Sequence, residues 1–194
     1  MRVCERGIAL IDVVFGAGVM AVLSSIAIPM LHAAQQHNEA RVAARFLATR
    51  LQQARVEALR RNTAVAVRFD PADLDRIRVY VDGDRDGVLE SDISRGIDRL
   101  LNESRLSDFT GPVGIRINQN IEEPDTGVAI AAGADPLRIG SSALLTFSPL
   151  GSATSGTVYV AASRGPQMAI RMFGPTSRMR VLKYDPSRRQ WREE

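Results

Sequence analysis

One cysteine, two histidines and one tryptophan are all that the 194 residues hold of these types. Each scarcity closes off a class of protein. A single thiol cannot form a disulfide within the chain, so a disulfide-stapled fold is excluded. A zinc cluster needs about four Cys or His ligands, whereas the chain offers Cys4, His32 and His37, all near the N-terminus. The two histidines stand five apart, off the i, i+4 geometry of a helical metal pair, and no HExxH occurs. No G-x-S-x-G elbow, P-loop or dinucleotide fingerprint is present either. The expectation is a protein that is not an enzyme and has no resident cofactor.

Charge is nearly balanced overall, 25 Lys and Arg against 22 Asp and Glu, but it is blocked along the chain. Residues 31–62 carry six Arg against two Glu, residues 70–108 eleven acids against six Arg, and residues 164–194 eight bases against three acids. Segments of opposite sign attract within a fold, so part of the pattern is expected to be satisfied internally. The C-terminal excess is the part expected to face a partner.

The N-terminus departs from globular sequence. After the short polar stretch Met1–Gly7, residues 8–31 (IALIDVVFGAGVMAVLSSIAIPML) carry a single charge, Asp12. As a helix rising 1.5 Å per residue this segment reaches roughly 36 Å, enough for a hydrocarbon core of about 30 Å. A carboxylate at the centre of such a span costs about 2.5–3.5 kcal/mol, and less towards the headgroups. Two plain readings are a signal anchor with Asp12 at the interface, or a secretory signal peptide. The second fits less well, because no small-x-small cleavage site follows.

The order of these residues resembles the type IV prepilin signal of pilins and pseudopilins: a basic leader ending in Gly7, four apolar residues, an acid, then a long apolar helix with Pro29. The resemblance implies that a prepilin peptidase cleaves after Gly7 and methylates the new N-terminal residue, Ile8. It further implies that Asp12 neutralises the terminal amine of a neighbouring subunit during assembly. Ile8 and Asp12 stand where the family usually has Phe and Glu. An intramembrane acid is expected to pair, and an ammonium on an adjacent helix suits it.

Helical pattern continues past the apolar run. From Gln35 to Arg61 there is no Gly or Pro, and Ala, Leu, Arg and Gln dominate, all good helix formers. Ala40, Ala43, Leu47, Leu51, Ala54 and Ala58 trace one apolar stripe, with Arg41, Arg45, Arg55 and Arg60 largely off it, which predicts a face docked on a sheet. Pro29 is expected to kink or loosen the helix, and Asn62 to stop it. Beyond it, alternation predicts strands over 64–69, 76–81, 114–117, 143–147, 157–161, 168–173 and 179–184. Residues 98–106 read as a turn or two of helix, and 118–142 as a long flexible loop. The fold class expected is α+β, a long N-terminal helix packed on an antiparallel β domain. Its segments are a leader 1–7, a transmembrane part 8–31, an amphipathic part 32–62 and a β domain 63–194.

The strand-turn-strand LLTFSPLGSATSGTVYVA (144–161) and the helix end ARVEALRRNTAVAVRF (54–69) resemble the GspH/FimT group of minor pseudopilins. That resemblance implies a type IV pilin-like fold. It also implies a role in building a type IV pilus or a type II secretion pseudopilus, with other pilins and the prepilin peptidase as partners. The expected location is the bacterial inner membrane, crossed once, with the C-terminal domain in the periplasm. A signal-anchored periplasmic binding module is the plainer alternative.

Two binding readings stand beside assembly. Asp82, Asp84, Asp86 and Gly87 match the opening of a D-x-D-x-D-G calcium loop. The twelfth position, which should supply a bidentate acid, is Ile93; Glu90 and Asp92 lie nearby but out of register. A polar hairpin turn explains the same residues. Arg178, Arg180, Lys183, Arg188 and Arg189, with Arg192 beyond and Tyr184 and Trp191 interleaved, form a basic strand and tail of the kind that contacts nucleic acid. Some FimT-type pilins are DNA receptors with a Gly-Arg-x-Arg element, and Ser177-Arg178-Met179-Arg180 matches it in both arginines but not the glycine. The plainer reading is a solvated edge strand, or contact with the acidic 70–108 segment.

Overall fold

A computed structural model of the chain describes residues 5–194 apart from 112, 141 and 164, and leaves out the side chains of residues 5–9, 28, 29 and 31–37. Met1–Cys4, and the side chains of Gly7, Ile8, His32 and His37, thus lie outside the described residues. The chain divides into two compact units, Met1–Gln36 and His37–Glu194.

Helix α1 runs over Glu5–Arg61, and helical structure continues through Pro29. In the first unit it carries the window Leu10–Ala27, with mean hydropathy 2.1 and no part of it buried. In the second unit its stripe behaves as the spacing predicts: Ala40, Ala43, Leu47, Leu51, Ala54 and Ala58 are all buried. Burying Leu47 and Leu51 stabilises by about 1.5–3 kcal/mol each relative to leaving them exposed. Asn62 ends the helix in the left-handed conformation, φ 52°, one that asparagine tolerates better than most residues.

The remaining elements follow in chain order: β1 Val65–Asp70, β2 Asp73–Val81, α2 Glu90–Arg95, β3 Arg99–Arg105, α3 Ser107–Thr110, β4 Val113–Ile115, β5 Ile121–Glu122, β6 Ala129–Ile130, β7 Leu137–Ile139, β8 Leu144–Phe147, β9 Gly156–Ala162, β10 Met168–Phe173, β11 Arg178–Asp185 and β12 Gln190–Glu193. Every pairing among them is antiparallel. One sheet has the order β3-β2-β1-β8, a second β12-β11-β10-β9-β4 with β7 also on β9, and β5-β6 forms a small hairpin.

The main core gathers the α1 stripe with Val65, Val67 and Phe69 of β1, Phe147 of β8, Val158 and Val160 of β9, and Ile170 of β10. Alternation sends Ala66 to the far side of the first sheet, where it packs with Tyr80, Val88 and Leu144, and with Ile93 at the margin. The far side of the second sheet carries Tyr159, Ala169, Leu182 and Tyr184, closed by Ile117, Ile121, Ile130 and Trp191. β9 is therefore buried along its whole length.

Three sequence expectations change here. Residues 99–105 form a strand rather than helical turns; β3 pairs only with β2 and is exposed along most of its length, so it shows no inward alternation to read. The 118–142 excursion carries β5, β6 and β7, pinned by buried Ile121, Ile130 and Ile139. The C-terminal tail folds back as β12, which makes β11 an interior strand rather than an edge.

Candidate functional site

Three groups of predicted residues occupy separate places. On the first unit, Leu10, Ile11, Val13, Val14 and Phe15 are all more than 60% exposed. Asp12 is exposed among them and makes no ion pair among the described residues. The window Leu10–Ala27 is long and apolar enough to cross a bilayer.

The basic group lies on β11, β12 and the turn between them. Arg180 pairs with Glu193 at 3.8 Å, Arg189 with Glu122 at 2.6 Å, and Arg192 with Asp185 at 3.1 Å. Lys183 is also engaged. Arg178 and Arg188 make no ion pair among the described residues. The aromatic partners are not displayed for stacking: Tyr184 is buried, and Trp191 sits 5.1 Å from its ring and donates its indole N–H to the Glu122 carbonyl at 2.6 Å. Among the described residues, charge in this region is thus partly spent on Glu122, Asp185 and Glu193. A groove of about 420 Å³ remains beside it, lined by Asp125, Arg171, Phe173, Arg178 and Arg180.

The acidic block is likewise satisfied close to home. Arg76 and Arg78 on β2 meet Glu103 on β3 at 3.6 and 3.0 Å, Arg105 meets Asp73 at 2.9 Å, and Arg68 meets Glu90 at 2.8 Å. In the loop after β2, Asp82, Asp84 and Asp86 each bring one carboxylate oxygen within 4.8 Å of the others. Asp82 is buried and the other two are exposed.

Among the described residues, no nucleophile–base pair or convergent acid–base cleft accompanies these groups. Comparison with known proteins agrees. The family described as type II transport protein GspH matches residues 43–176, more than two thirds of the chain. The chain belongs to the GspH family. Membership makes it a pseudopilin, a structural protein rather than an enzyme, and implies assembly with other pseudopilins. Among solved structures it is similar to the minor pseudopilin EPSH from the type II secretion system of Vibrio cholerae, at 14% identity and a TM-score of 0.41, over 81% of this chain and 94% of that one. No curated protein matches.

Within this GspH-family domain no sequence signal singled out Gln167. It is fully buried, and its amide nitrogen donates to the carbonyls of Arg116, Val160 and Met168, each at 3.1 Å. Its amide oxygen accepts the Asn118 N–H at 3.0 Å. One side chain thereby ties the start of the 118–142 excursion to β9 and β10. Arg41 was also missed as a tether. From α1 it holds the carboxylate of Glu194, at the end of the chain, and this hydrogen bond keeps the Glu194 carboxyl below its ordinary value.

Proposed function

We propose that this GspH-family chain is a minor subunit of a type II secretion pseudopilus. It is inserted in the inner membrane through residues 8–31, cleaved after Gly7 by the prepilin peptidase and methylated at Ile8. The observation that carries the reading is the wholly exposed apolar window Leu10–Ala27 with its single acid, Asp12. Apolar helices of neighbouring subunits would bury that surface. Asp12 would supply the one polar registration by pairing with a neighbour's terminal ammonium, and a desolvated pair of this kind fixes position more than it adds stability. The β domain would then face the periplasm. The family's description favours the secretion machine over a pilus.

The test is the mature N-terminus. Full-length protein is co-expressed with and without a prepilin peptidase, and its N-terminal peptide is identified by mass spectrometry. The expected product begins at methylated Ile8, appears only with the peptidase, and is lost in Gly7→Leu. Asp12→Ala is expected to be cleaved normally yet fail to incorporate, while Asp12→Glu incorporates. A chain left whole by an active peptidase sinks the reading and favours the signal-anchored module.

A further inference from the structure

The outward face of the second sheet gathers arginines that lie far apart in sequence. Met179 and Val181 of β11 pack on the main core, so alternation turns Arg178, Arg180 and Leu182 to the other face. Strand register carries the row further. Arg180 stands opposite Arg171 of β10, Arg171 opposite Thr157 of β9, and Thr157 opposite Arg138 of β7. Arg178 stands opposite Phe173, which is 53% exposed. The groove over this patch has three arginines and one acid, Asp125, in its lining. Asp125 holds Arg171, which leaves Arg178 and Arg180 as the cations nearest the margin of the sheet.

The strand edge beside them shows what kind of partner completes the patch. β12 covers only the second half of β11, from Leu182 opposite Glu193 to Asp185 opposite Gln190. The Glu194 N–H then donates to the Val181 carbonyl at 3.0 Å, and among the described residues no strand continues past that point beside residues 178–180. In an antiparallel ladder the N–H and C=O of residues two apart face the same side. Met179 therefore presents both groups to the same side as the Val181 carbonyl, where no strand meets them. Unpaired strand groups of this kind are a template for another extended chain.

A strand laid there would bring its residues opposite Arg178 and Arg180 onto the arginine face, with Cβ atoms about 5 Å apart. The residue between them would turn to the side of Met179 and Val181. The complementary sequence is acid–apolar–acid. The chain shows the same pairing on its own edge: Glu193, on β12 and on the same face, reaches Arg180 at 3.8 Å. Nucleic acid fits less well, because Asp125 and Glu193 stand among the arginines and would repel phosphate, and a phosphate backbone cannot continue a strand ladder.

We propose that the open edge of β11 at residues 178–181 accepts an extended segment of a neighbouring pseudopilin, with acids opposite Arg178 and Arg180 and an apolar residue between them. The inference rests on the assembly role proposed above and assigns a surface to it.

The full chain, isotope-labelled and held in detergent micelles at physiological salt, is titrated with the end-blocked peptide Thr-Thr-Glu-Val-Glu-Thr-Thr while backbone amide resonances are followed. Saturable shifts are expected at residues 178–181. The isomer Thr-Thr-Glu-Glu-Val-Thr-Thr puts one acid on the wrong face and should bind several-fold more weakly, as should Thr-Thr-Glu-Pro-Glu-Thr-Thr, which keeps both charges but lacks the central N–H. Arg178→Ser/Arg180→Ser, at exposed positions, should weaken binding about tenfold. Glu193→Gln, also exposed, frees Arg180 and should strengthen it about twofold or more; it decides alone if the double variant does not fold. Absence of saturable shifts, equal binding of the proline peptide, or tighter binding of an oligothymidylate of the same length overturns the proposal. N-terminal processing is read separately. A chain cleaved after Gly7 that ignores the peptide loses this inference alone, whereas an uncleaved chain that binds it loses the assembly reading and keeps the strand site.

Discussion

Replacing Gln167 with glutamate exchanges one amide nitrogen for an oxygen in a fully buried side chain. In the native protein that nitrogen faces three carbonyl oxygens at 3.1 Å. The oxygen that replaces it would meet acceptors only, while the other keeps the Asn118 N–H, so the folded variant keeps its proton and its carboxyl value is raised. The sign follows: a raised native value makes the variant lose stability as pH climbs above the ordinary glutamate value of about 4.3. Holding the proton at pH 7.5 costs about 4 kcal/mol, at about 1.4 kcal/mol per pH unit. Losing one of two donor hydrogens adds about 1 kcal/mol at every pH. Gln167→Glu is therefore expected to be about 5 kcal/mol less stable than wild type at pH 7.5 and only about 1 kcal/mol less at pH 4. Gln167→Met leaves four polar bonds unmade and should cost about 2–4 kcal/mol at both pH values. Denaturant unfolding of the full chain in micelles measures this through Trp191, the sole tryptophan, which packs in the adjoining cluster. If the glutamate variant loses the same stability at pH 4 and 7.5, the account of this side chain as a donor to three carbonyls is wrong.

Two further outcomes are expected. Because the Arg41 hydrogen bond lowers the Glu194 carboxyl below the usual 4.5, its contribution is present in full above that value and fades as pH falls through the native one. Arg41→Ala should thus cost at most about 1 kcal/mol at pH 7 and progressively less as the pH falls through the lowered native value, and a penalty that stays constant down to full protonation of the carboxyl would refute the pairing. Duplex DNA should bind weakly, since only Arg178 and Arg188 of the five predicted basic residues lack an ion pair or other engagement among the described residues. Two neutralised phosphates give a log–log salt slope of about −2. A slope of −4 or steeper, abolished by Arg178→Ala/Arg180→Ala, would restore the DNA-receptor reading.

Much of the molecule was legible because its signals are local. The α1 stripe repeats every three or four residues, and β1, β9 and β10 lie close to the runs that alternation marks out. The apolar window and its lone acid needed only hydropathy and position. β3 and β12 were not legible. Each pairs on one side only and leaves most residues in water, so neither carries the buried alternation that betrays a strand.

The sequence by itself determined the class of this protein: an apolar N-terminal helix, an amphipathic continuation and a strand-rich domain of the GspH family. Tertiary structure alone decided which charges are spent and which remain. Arg180, Arg189 and Arg192 look alike in sequence, yet each meets an acid brought to it by strand pairing or by the 122–125 turn. Periodicity is set by neighbours a few residues apart. Pairing and desolvation are set by residues tens of positions away, as between Glu122 and Arg189, and chain order alone does not contain that distance.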